Sequence, residues 1–252
     1  MRHFTLIVPV FVTATGLCWL STLRAAPADS LWRRAVGLSE MNDDLVPGSM
    51  KTRMQEVDKH GKPKDEEKYR ETWAKMSLGE DGEVEFETTK VIDDGEDVTE
   101  EKKAEEEERK AKREDEDDES ESHEMEVYNP FDVGSQERMS IERSSTMEVV
   151  SGRNTVVYEF TEHIDDDAEV SGRAWLEVGT GVPVRVEYAV APLPKRVKRM
   201  ITTLEYEYVA PDSLIVSHIF VEATGGILFI KKYFHMDMTF TNYWRLPEGY
   251  KD

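Results

Sequence analysis

The chain has 252 residues, a single cysteine and a formal net charge of −21, with 53 Asp and Glu against 32 Lys and Arg. This balance argues against a nucleic-acid-binding protein, because a phosphate backbone requires clustered Lys and Arg. One cysteine also excludes a scaffold stapled by disulfides, and a chain of this length can bury a core without them.

The N-terminus predicts export. Met1-Arg2-His3 is a short positive region, Phe4–Leu23 carries no charge, and Ala26-Pro27-Ala28 fits the small-residue pattern of a cleavage site. We predict that residues 1–28 are a signal peptide or, because about 20 apolar residues can span a bilayer, an uncleaved membrane anchor. Both place the protein in the periplasm or outside the cell. Cleavage would remove Cys18 and leave no thiol for catalysis or metal binding.

Residues 29–92 predict a short helix followed by the first strands of a half-barrel. Asp29-Ser30 can cap the helix. Three stretches then alternate between polar and apolar residues: Met50–Val57, Glu66–Met76 and Glu83–Ile92. Alternation of this kind is typical of strands with one buried and one solvated face, so we expect Val84 and Phe86 to share a buried face.

Residues 93–125 predict an acidic insertion that is partly helical and partly disordered. Asp93–Glu124 contains 18 acidic and 6 basic residues, which is most of the net charge of the chain. Asp97-Val98-Thr99-Glu100 resembles a capping box, and the helix-favouring residues after it offer no apolar face that could be buried. The insertion is interpreted as a solvated loop or, alternatively, as a docking arm for a basic partner.

Residues 126–252 predict the remaining strands of the same domain. Stretches of alternating residues are separated by short turns: Ser140–Val150, Asn154–Thr161, Gly172–Val178, Val184–Val190, Met200–Tyr208, Ser213–Ala223 and Ile227–Phe240. Successive antiparallel strands with short turns predict a mainly β protein whose sheet is open and strongly twisted, or forms part of a barrel.

An apolar face of this sheet is the candidate ligand-binding site. Its ten residues are Tyr188, Met200, Leu204, Tyr206, Leu228, Ile230, Phe234, Met236, Met238 and Phe240. Two interpretations remain open: an ordinary core covered by a helix, or a cavity whose Met and aromatic side chains adapt to ligands of variable shape. The sequence offers little helix to cover so many strands, which favours a cavity or a partner interface.

The hairpin Gly172–Tyr188, with the sequence GRAWLEVGTGVPVRVEY, resembles that of the LolA-like superfamily of lipoprotein carriers. The likeness continues through Gly225–Tyr233 and Met238–Tyr243. It implies an antiparallel half-barrel with helices closing its concave face over a hydrophobic cavity that binds lipid or lipoprotein acyl chains. This chain departs from the family in having few helices for that face, and we expect it to be a monomer. The alternative that the resemblance implies is a sensor or scaffold of the cell envelope with a protein partner.

No motif predicts catalysis, a cofactor or a metal. The six histidines do not have zinc-ligand spacing, and neither a nucleophile elbow nor a phosphate-binding loop is present. His163 with Asp165, Asp166, Asp167 and Glu169 is interpreted as an acidic turn rather than as a calcium site, because it lacks the EF-hand spacing. We therefore expect a binding protein and not an enzyme.

Overall fold

The computed structural model describes residues 29–79, 84–116, 127–165, 168–210, 213–227 and 230–247, without the side chains of residues 109–116, 210, 227 and 230. The predicted signal segment, residues 1–28, lies outside this part of the chain. The described helices are α1 (Ser30–Glu40) and α2 (Thr99–Glu116), with a 3-10 turn at Gln136–Arg138. The strands are β1 (Leu45–Val46), β2 (Ser49–Val57), β3 (Tyr69–Leu78), β4 (Val84–Asp93), β5 (Glu96–Asp97), β6 (Met139–Val150), β7 (Arg153–His163), β8 (Glu169–Glu177), β9 (Pro183–Ala191), β10 (Val197–Ala210), β11 (Ser213–Ile227), β12 (Ile230–Thr241) and β13 (Trp244–Arg245).

Eleven of the described strands form one antiparallel sheet in the order β5-β4-β3-β2-β12-β11-β10-β9-β8-β7-β6. Strands from both sides of the acidic insertion enter this sheet, because β2 pairs with β12. β1 and β13 form a separate short pair that brings the two ends of the described chain together. The end strands β5 and β6 do not pair with each other, so the sheet is open. The predicted mainly β fold, an open half-barrel with few helices, is confirmed.

Helix α1 is fixed on the sheet by its N-cap residue, Asp29. The Asp29 carboxylate accepts hydrogen bonds from the Leu31 and Trp32 backbone N–H groups at 3.0 and 3.3 Å, which caps the helix as predicted. It also accepts from the Tyr158 hydroxyl at 2.6 Å and from Arg143 at 2.7 Å. Burial acts to raise the pKa of Asp29, but these hydrogen bonds outweigh it and lower the pKa.

The buried side of α1 packs over the β8–β9 hairpin. Trp32, Ala35 and Leu38 are buried in the core, with the spacing of one helical face. The turn of the hairpin approaches α1 so closely that a Cβ atom on Gly181, whose φ is +71°, would lie 2.8 Å from the Leu31 carbonyl oxygen. Glycine at this position therefore allows both the turn and the contact with the helix.

The register places the apolar residues of neighbouring strands on one face. Leu204 of β10 lies opposite Ile219 of β11, which lies opposite Met238 of β12. All three are buried in the core cluster beneath α1. The other face is mainly polar and carries the cross-strand ion pairs Arg173–Glu187, Arg185–Glu205 and Arg53–Glu71 and a hydrogen bond between His218 and Asp237. It also carries a second, smaller buried cluster: Val150, Val157, Trp175 and Val184. Ion pairs with at least one exposed partner contribute little stability, so the fold depends mainly on the larger apolar cluster beneath α1.

The acidic insertion begins in contact with the sheet. The Val91 N–H donates to the Thr99 hydroxyl at 2.9 Å, and the Asp97 carboxylate accepts from the Thr99 N–H at 3.1 Å. Among residues 99–108, whose side chains are described, none is buried. Most of the distal acidic run, residues 117–126, lies outside the described residues. The described part of α2 is therefore a solvated helix tied to β4 at its N-terminus.

One predicted burial is wrong. Phe86 was expected on a buried face, but its side chain is 60% exposed. It lies opposite Met76 on β3, near the β5 end of the sheet, whereas α1 contacts β8 and β11. Burial does not alternate along β4, whose pairing with β3 has a register shift at Thr89, and the part of the strand around Phe86 is left uncovered by the described elements. None of the described helices is long and apolar enough to span a membrane.

Candidate functional site

A cavity of about 510 Å³ lies between the C-terminal end of α1, residues 127–133 and strands β10 to β12. Its floor is apolar and is formed by side chains from the sheet: Leu204, Leu214, Val216, Ile219 and Phe240. They share the face that α1 covers, because Leu204 lies opposite Ile219 and Tyr206 lies opposite Val216. Most of these side chains are also part of the core, so the cavity is a gap at the margin of the core.

Residues 127–133 form one wall of the cavity. Phe131 is fully buried, and its ring centroid lies 5.0 Å from that of Trp32 and 6.1 Å from that of Tyr206. The Asn129 amide donates to the Ser39 hydroxyl at 2.8 Å, which joins this wall to the end of α1. The wall and the helix end are therefore connected by aromatic packing and by a hydrogen bond.

A buried carboxylate holds the same wall on the sheet. Glu162 of β7 is 1% exposed and accepts from the Tyr128 hydroxyl at 2.7 Å. It also accepts from Arg138 Nη2 at 2.6 Å and from Arg138 Nε at 3.1 Å. Burial and the bond to Glu162 raise the pKa of Tyr128, so the hydroxyl stays protonated and continues to donate. A charged, buried group with this many bonds fixes the position of the wall.

The opposite border of the cavity is where the ends of the described chain meet. The buried Asn42 amide donates to the Leu38 carbonyl at 2.7 Å, which ends α1. The Arg245 guanidinium of β13 forms an ion pair with Asp44 and lies 3.4 Å from the Asn42 amide oxygen. The last strand pair therefore supports the helix end that borders the cavity.

Two tyrosines line the cavity and differ in their hydrogen bonding. The Tyr243 hydroxyl donates to the Val216 carbonyl. The Tyr206 side chain is 9% exposed, and within the described part of the chain its buried hydroxyl has no hydrogen-bond partner. Burial raises the pKa of both hydroxyls, with a further contribution from Tyr188 at Tyr206. Both are therefore protonated donors at neutral pH.

The mouth of the cavity is acidic. Glu40, Asp43 and Asp132 line it, and all three are exposed. No Lys, Arg or His is among the lining residues that the structure describes. The arrangement therefore combines an apolar floor with a negatively charged entrance.

Three of the ten predicted site residues line this cavity: Leu204, Tyr206 and Phe240. Tyr188 and Met238 are buried in the core cluster instead. Tyr188 lies opposite Thr202, which is two residues before Leu204 of the cavity floor on β10 and shares its face. Alternation alone therefore grouped Tyr188 with the lining residues.

The other five predicted residues lie elsewhere or are only partly described. Met200 and Met236 pack against the edge of the core. Phe234 borders a shallow hollow next to β2 and β3. Leu228 lies outside the described residues, and Ile230 is described by its backbone alone.

Several lining residues were not among the predicted ones. Leu214, Val216 and Ile219 come from β11, a strand that the sequence predicts, and their alternation along it was the available signal. Asn129 and Phe131 come from a segment without periodicity. Its contribution to the cavity depends on the distant contacts with α1 and Glu162, and no local pattern in the sequence indicates it.

No protein-family model and no curated protein matches the sequence. Among solved structures, an outer membrane lipoprotein-sorting protein domain from Vibrio parahaemolyticus is 8% identical with a TM-score of 0.38, covering 86% of this chain and 92% of that one. A LolA superfamily protein from Nitrosomonas europaea is 12% identical with a TM-score of 0.35, covering 85% and 94%. The MucA/MucB complex structure from Pseudomonas aeruginosa is 9% identical with a TM-score of 0.24, covering 87% and 100%.

One of these three structures is described as that of a LolA superfamily protein. This is the superfamily that the hairpin Gly172–Tyr188 resembles. The similarity is distant and concerns the fold alone, so the function has to be argued from the residues of this chain.

Proposed function

We propose that the protein is exported to the cell envelope, where it binds a lipid, an acylated molecule or another hydrophobic ligand in the cavity above β10 to β12. It acts as a binding or carrier protein and not as an enzyme. The observation that carries the proposal is the cavity of about 510 Å³ with its apolar floor. Ligand pockets of proteins typically have volumes of about 300–1,000 Å³ and mostly apolar linings.

An ordinary core is the competing interpretation of the same apolar face. Protein interiors are packed as densely as organic crystals and contain few voids larger than a water molecule. The space of about 510 Å³ beside Leu204 and Ile219 is open to solvent on one side, so it is a cleft at the margin of the core and not a void within it. The wall that encloses it is held by the buried carboxylate of Glu162 and by the Asn129–Ser39 hydrogen bond. Binding of a hydrophobic ligand accounts for both the gap and its fixed wall.

Filling the cavity tests the proposal. Val216 is partly buried and lines the floor, so Val216→Trp should occupy the space with its ring. The probe is N-phenyl-1-naphthylamine, an uncharged dye whose fluorescence rises in apolar surroundings. We expect the wild-type protein to bind it and Val216→Trp to bind it at least about tenfold more weakly, a change of about 1.4 kcal/mol.

The matched control is Val190→Trp. Val190 is also partly buried against the core but does not line the cavity. This variant should keep the affinity of the wild type, and urea unfolding of all three proteins should show that they are folded. Failure of the folded wild type to bind the dye, or an equal loss of binding in both variants, would contradict a ligand site at this cavity.

The alternative function is that of an envelope sensor or scaffold with a protein partner, and strand β6 favours it. β6 is a twelve-residue strand at an end of the sheet and pairs on one side with β7. Met147 and Val149 on it are 65% and 69% exposed. Exposed edges can accept a strand from another chain. Crosslinking from Val149 in the native envelope should trap a partner if this function is correct, whereas crosslinking from the exposed Phe86 near the other end should not.

A further inference from the structure

Two neighbouring segments of the sheet contain no Asp or Glu, although the chain as a whole has a net charge of −21. One runs from Tyr188 to Leu204 and the other from Ala223 to Met236. The two segments are adjacent in the sheet, because β11 pairs with β10 on one side and with β12 on the other. The Lys and Arg residues that they carry, which we call the basic end, are Lys195, Arg196, Lys198, Arg199, Lys231 and Lys232.

The basic end lies at one end of three adjacent strands. Val197 of β10 lies opposite Gly225 of β11, which lies opposite Lys232 of β12. Neighbouring strands are about 5 Å apart, so the backbones of β10 and β12 are separated by roughly 10 Å here. All six side chains of the basic end are exposed. Lys232 forms an ion pair with Glu56 at 2.9 Å, whereas the other five have no carboxylate partner in the described part of the chain.

The backbone holds the loop before β10 against the end of β11 and presents its cations to solvent. The Gly226 N–H donates to the Arg196 carbonyl at 3.2 Å, and a Cβ atom on Gly225 would lie 3.0 Å from the same oxygen. The φ of Arg196 is +77°, a left-handed conformation that favours glycine. Lys198 is the extra residue of a β-bulge, so Lys198 and Arg199 are both exposed although they are consecutive. An arginine kept in a strained conformation on an exposed loop points to a role in binding.

The connection between β11 and β12 is apolar in sequence. Ile227 pairs with Ile230, and the two residues between them in the sequence are Leu228 and Phe229. Connections of two residues between antiparallel strands usually contain Gly, Asn or Asp. Two lysines of the basic end follow directly. Apolar residues beside clustered cations are typical of proteins that bind the surface of an anionic membrane, because the apolar side chains enter the bilayer while the cations contact the headgroups.

We propose that the basic end attaches the protein to an anionic phospholipid surface of the cell envelope. An acidic protein segment would complement the cations equally well, but it would not account for the apolar residues beside them. The acidic mouth of the cavity lies towards the other end of β10, since Tyr206 comes nine residues after Val197, roughly 30 Å along a strand. An anionic surface attracts one end and repels the other, so the attached protein keeps its cavity mouth turned away from that surface. The proposal shares with the proposed function only the location of the protein in the envelope.

Sedimentation with lipid vesicles tests this attachment, with protein purified from its native host. The vesicles consist of phosphatidylcholine alone or of phosphatidylcholine mixed with phosphatidylglycerol, which is anionic. We expect binding to the mixed vesicles that weakens as salt is added, and much less binding to phosphatidylcholine alone. An uncleaved N-terminal anchor would insert into both kinds of vesicle, so the difference between them reports the electrostatic contact.

Charge reversal locates the contact. Lys195→Glu/Lys198→Glu should weaken binding to the mixed vesicles at least about tenfold, because each cation near an anionic surface contributes roughly fivefold. The matched control is Arg33→Glu/Arg34→Glu, which makes the same change of charge at two exposed cations on α1. It should bind the vesicles nearly as the wild type does. Both double variants should retain the urea unfolding midpoint and the affinity for N-phenyl-1-naphthylamine.

Arg196→Gly separates binding from stability. It removes one cation and relieves the left-handed strain, so it should keep or raise the urea midpoint while weakening binding to the mixed vesicles roughly fivefold. Equal binding of the wild type to both kinds of vesicle, or equal losses in the two double variants, would overturn the attachment. Tighter binding to polyglutamate than to the mixed vesicles would overturn it in favour of an acidic protein partner. Dye binding is measured separately, so its loss in a wild type that still binds the mixed vesicles would contradict the proposed function alone.

Discussion

The buried carboxylate of Glu162 is the part of the cavity whose removal has the most specific consequence. Glu162→Ala takes the acceptor away from the Tyr128 hydroxyl and from two nitrogens of Arg138. Hydrogen bonds to charged groups contribute about 1.5–3 kcal/mol each. Arg138 is half exposed and can return to water, so its loss is partly offset. We expect the free energy of unfolding to fall by about 2–4 kcal/mol.

Glu162→Ala should weaken the wall locally as well as lower the stability of the whole protein. The wall closes on itself through the backbone hydrogen bond from Asp132 N–H to Asn129, and the turn that follows it does so through Gln136 N–H to Val133. Without Glu162, the wall can open without unfolding the sheet, as weakly held segments do. Hydrogen exchange of these amides should therefore accelerate more than exchange in β8 and β9. Affinity for N-phenyl-1-naphthylamine should decrease, because the wall encloses the cavity.

The control is Glu159→Ala, on the same strand but exposed on the polar face. It should change the free energy of unfolding by less than about 0.5 kcal/mol and leave dye binding unchanged. The assays are urea unfolding, hydrogen exchange followed by mass spectrometry, and dye titration. A Glu162→Ala protein as stable as Glu159→Ala, with an equally protected wall, would refute the assignment of Glu162 as the group that holds the wall.

Four further predictions concern the helix and its cap, the acidic insertion and export. Trp32→Ala removes a fully buried ring that contacts Phe131, and it should lower the free energy of unfolding by about 3–5 kcal/mol in urea titrations. The pKa of Asp29 in the folded protein lies below its ordinary value of 3.8, so the stability that its carboxylate contributes is present above pH 3.8 and is lost as the pH falls through the folded pKa. Asp29→Asn should therefore destabilise the protein at pH 7 and have little effect in strong acid. Urea unfolding curves of the two proteins should coincide there. Deleting residues 103–124, with a short Gly/Ser linker, should change the melting temperature little, since surface loops cost little and the contacts of Thr99 with β4 are retained. N-terminal sequencing of the protein from its native host should begin at Asp29 if the signal is cleaved, and at Met1 if it is an anchor.

Local signals predicted the strands and the first helix well. The Asp29 cap, the turns around Gly152 and Gly181 and the alternation along β7 to β10 all act between residues close in sequence, and the structure has these elements within a few residues of the predicted bounds. The predicted buried face at Phe86 failed because burial depends on what covers a strand. Alternation shows that one face differs from the other, but it does not reveal where a helix packs.

The cavity was predictable in part because a strand face is periodic. Leu204, Tyr206 and Phe240 were identified from alternation, and they do line it. The position of Phe131 could not be predicted, because it depends on Trp32, almost a hundred residues earlier in the chain, and on Glu162 after it. Pairing of β2 with β12 is equally non-local. Contacts of this kind follow from the packing of the whole chain and leave no local sequence pattern.

The most direct test of the central claim is to identify what the cavity holds in the native envelope. Full-length protein and the Val216→Trp variant are purified from the native host without detergent and extracted with organic solvent, and the extracts are compared by mass spectrometry. The proposed function predicts a lipid or an acylated molecule in the wild-type extract at about one molecule per chain, and much less in the variant. An extract of wild-type protein without any such molecule, or the same amount from Val216→Trp, would contradict it.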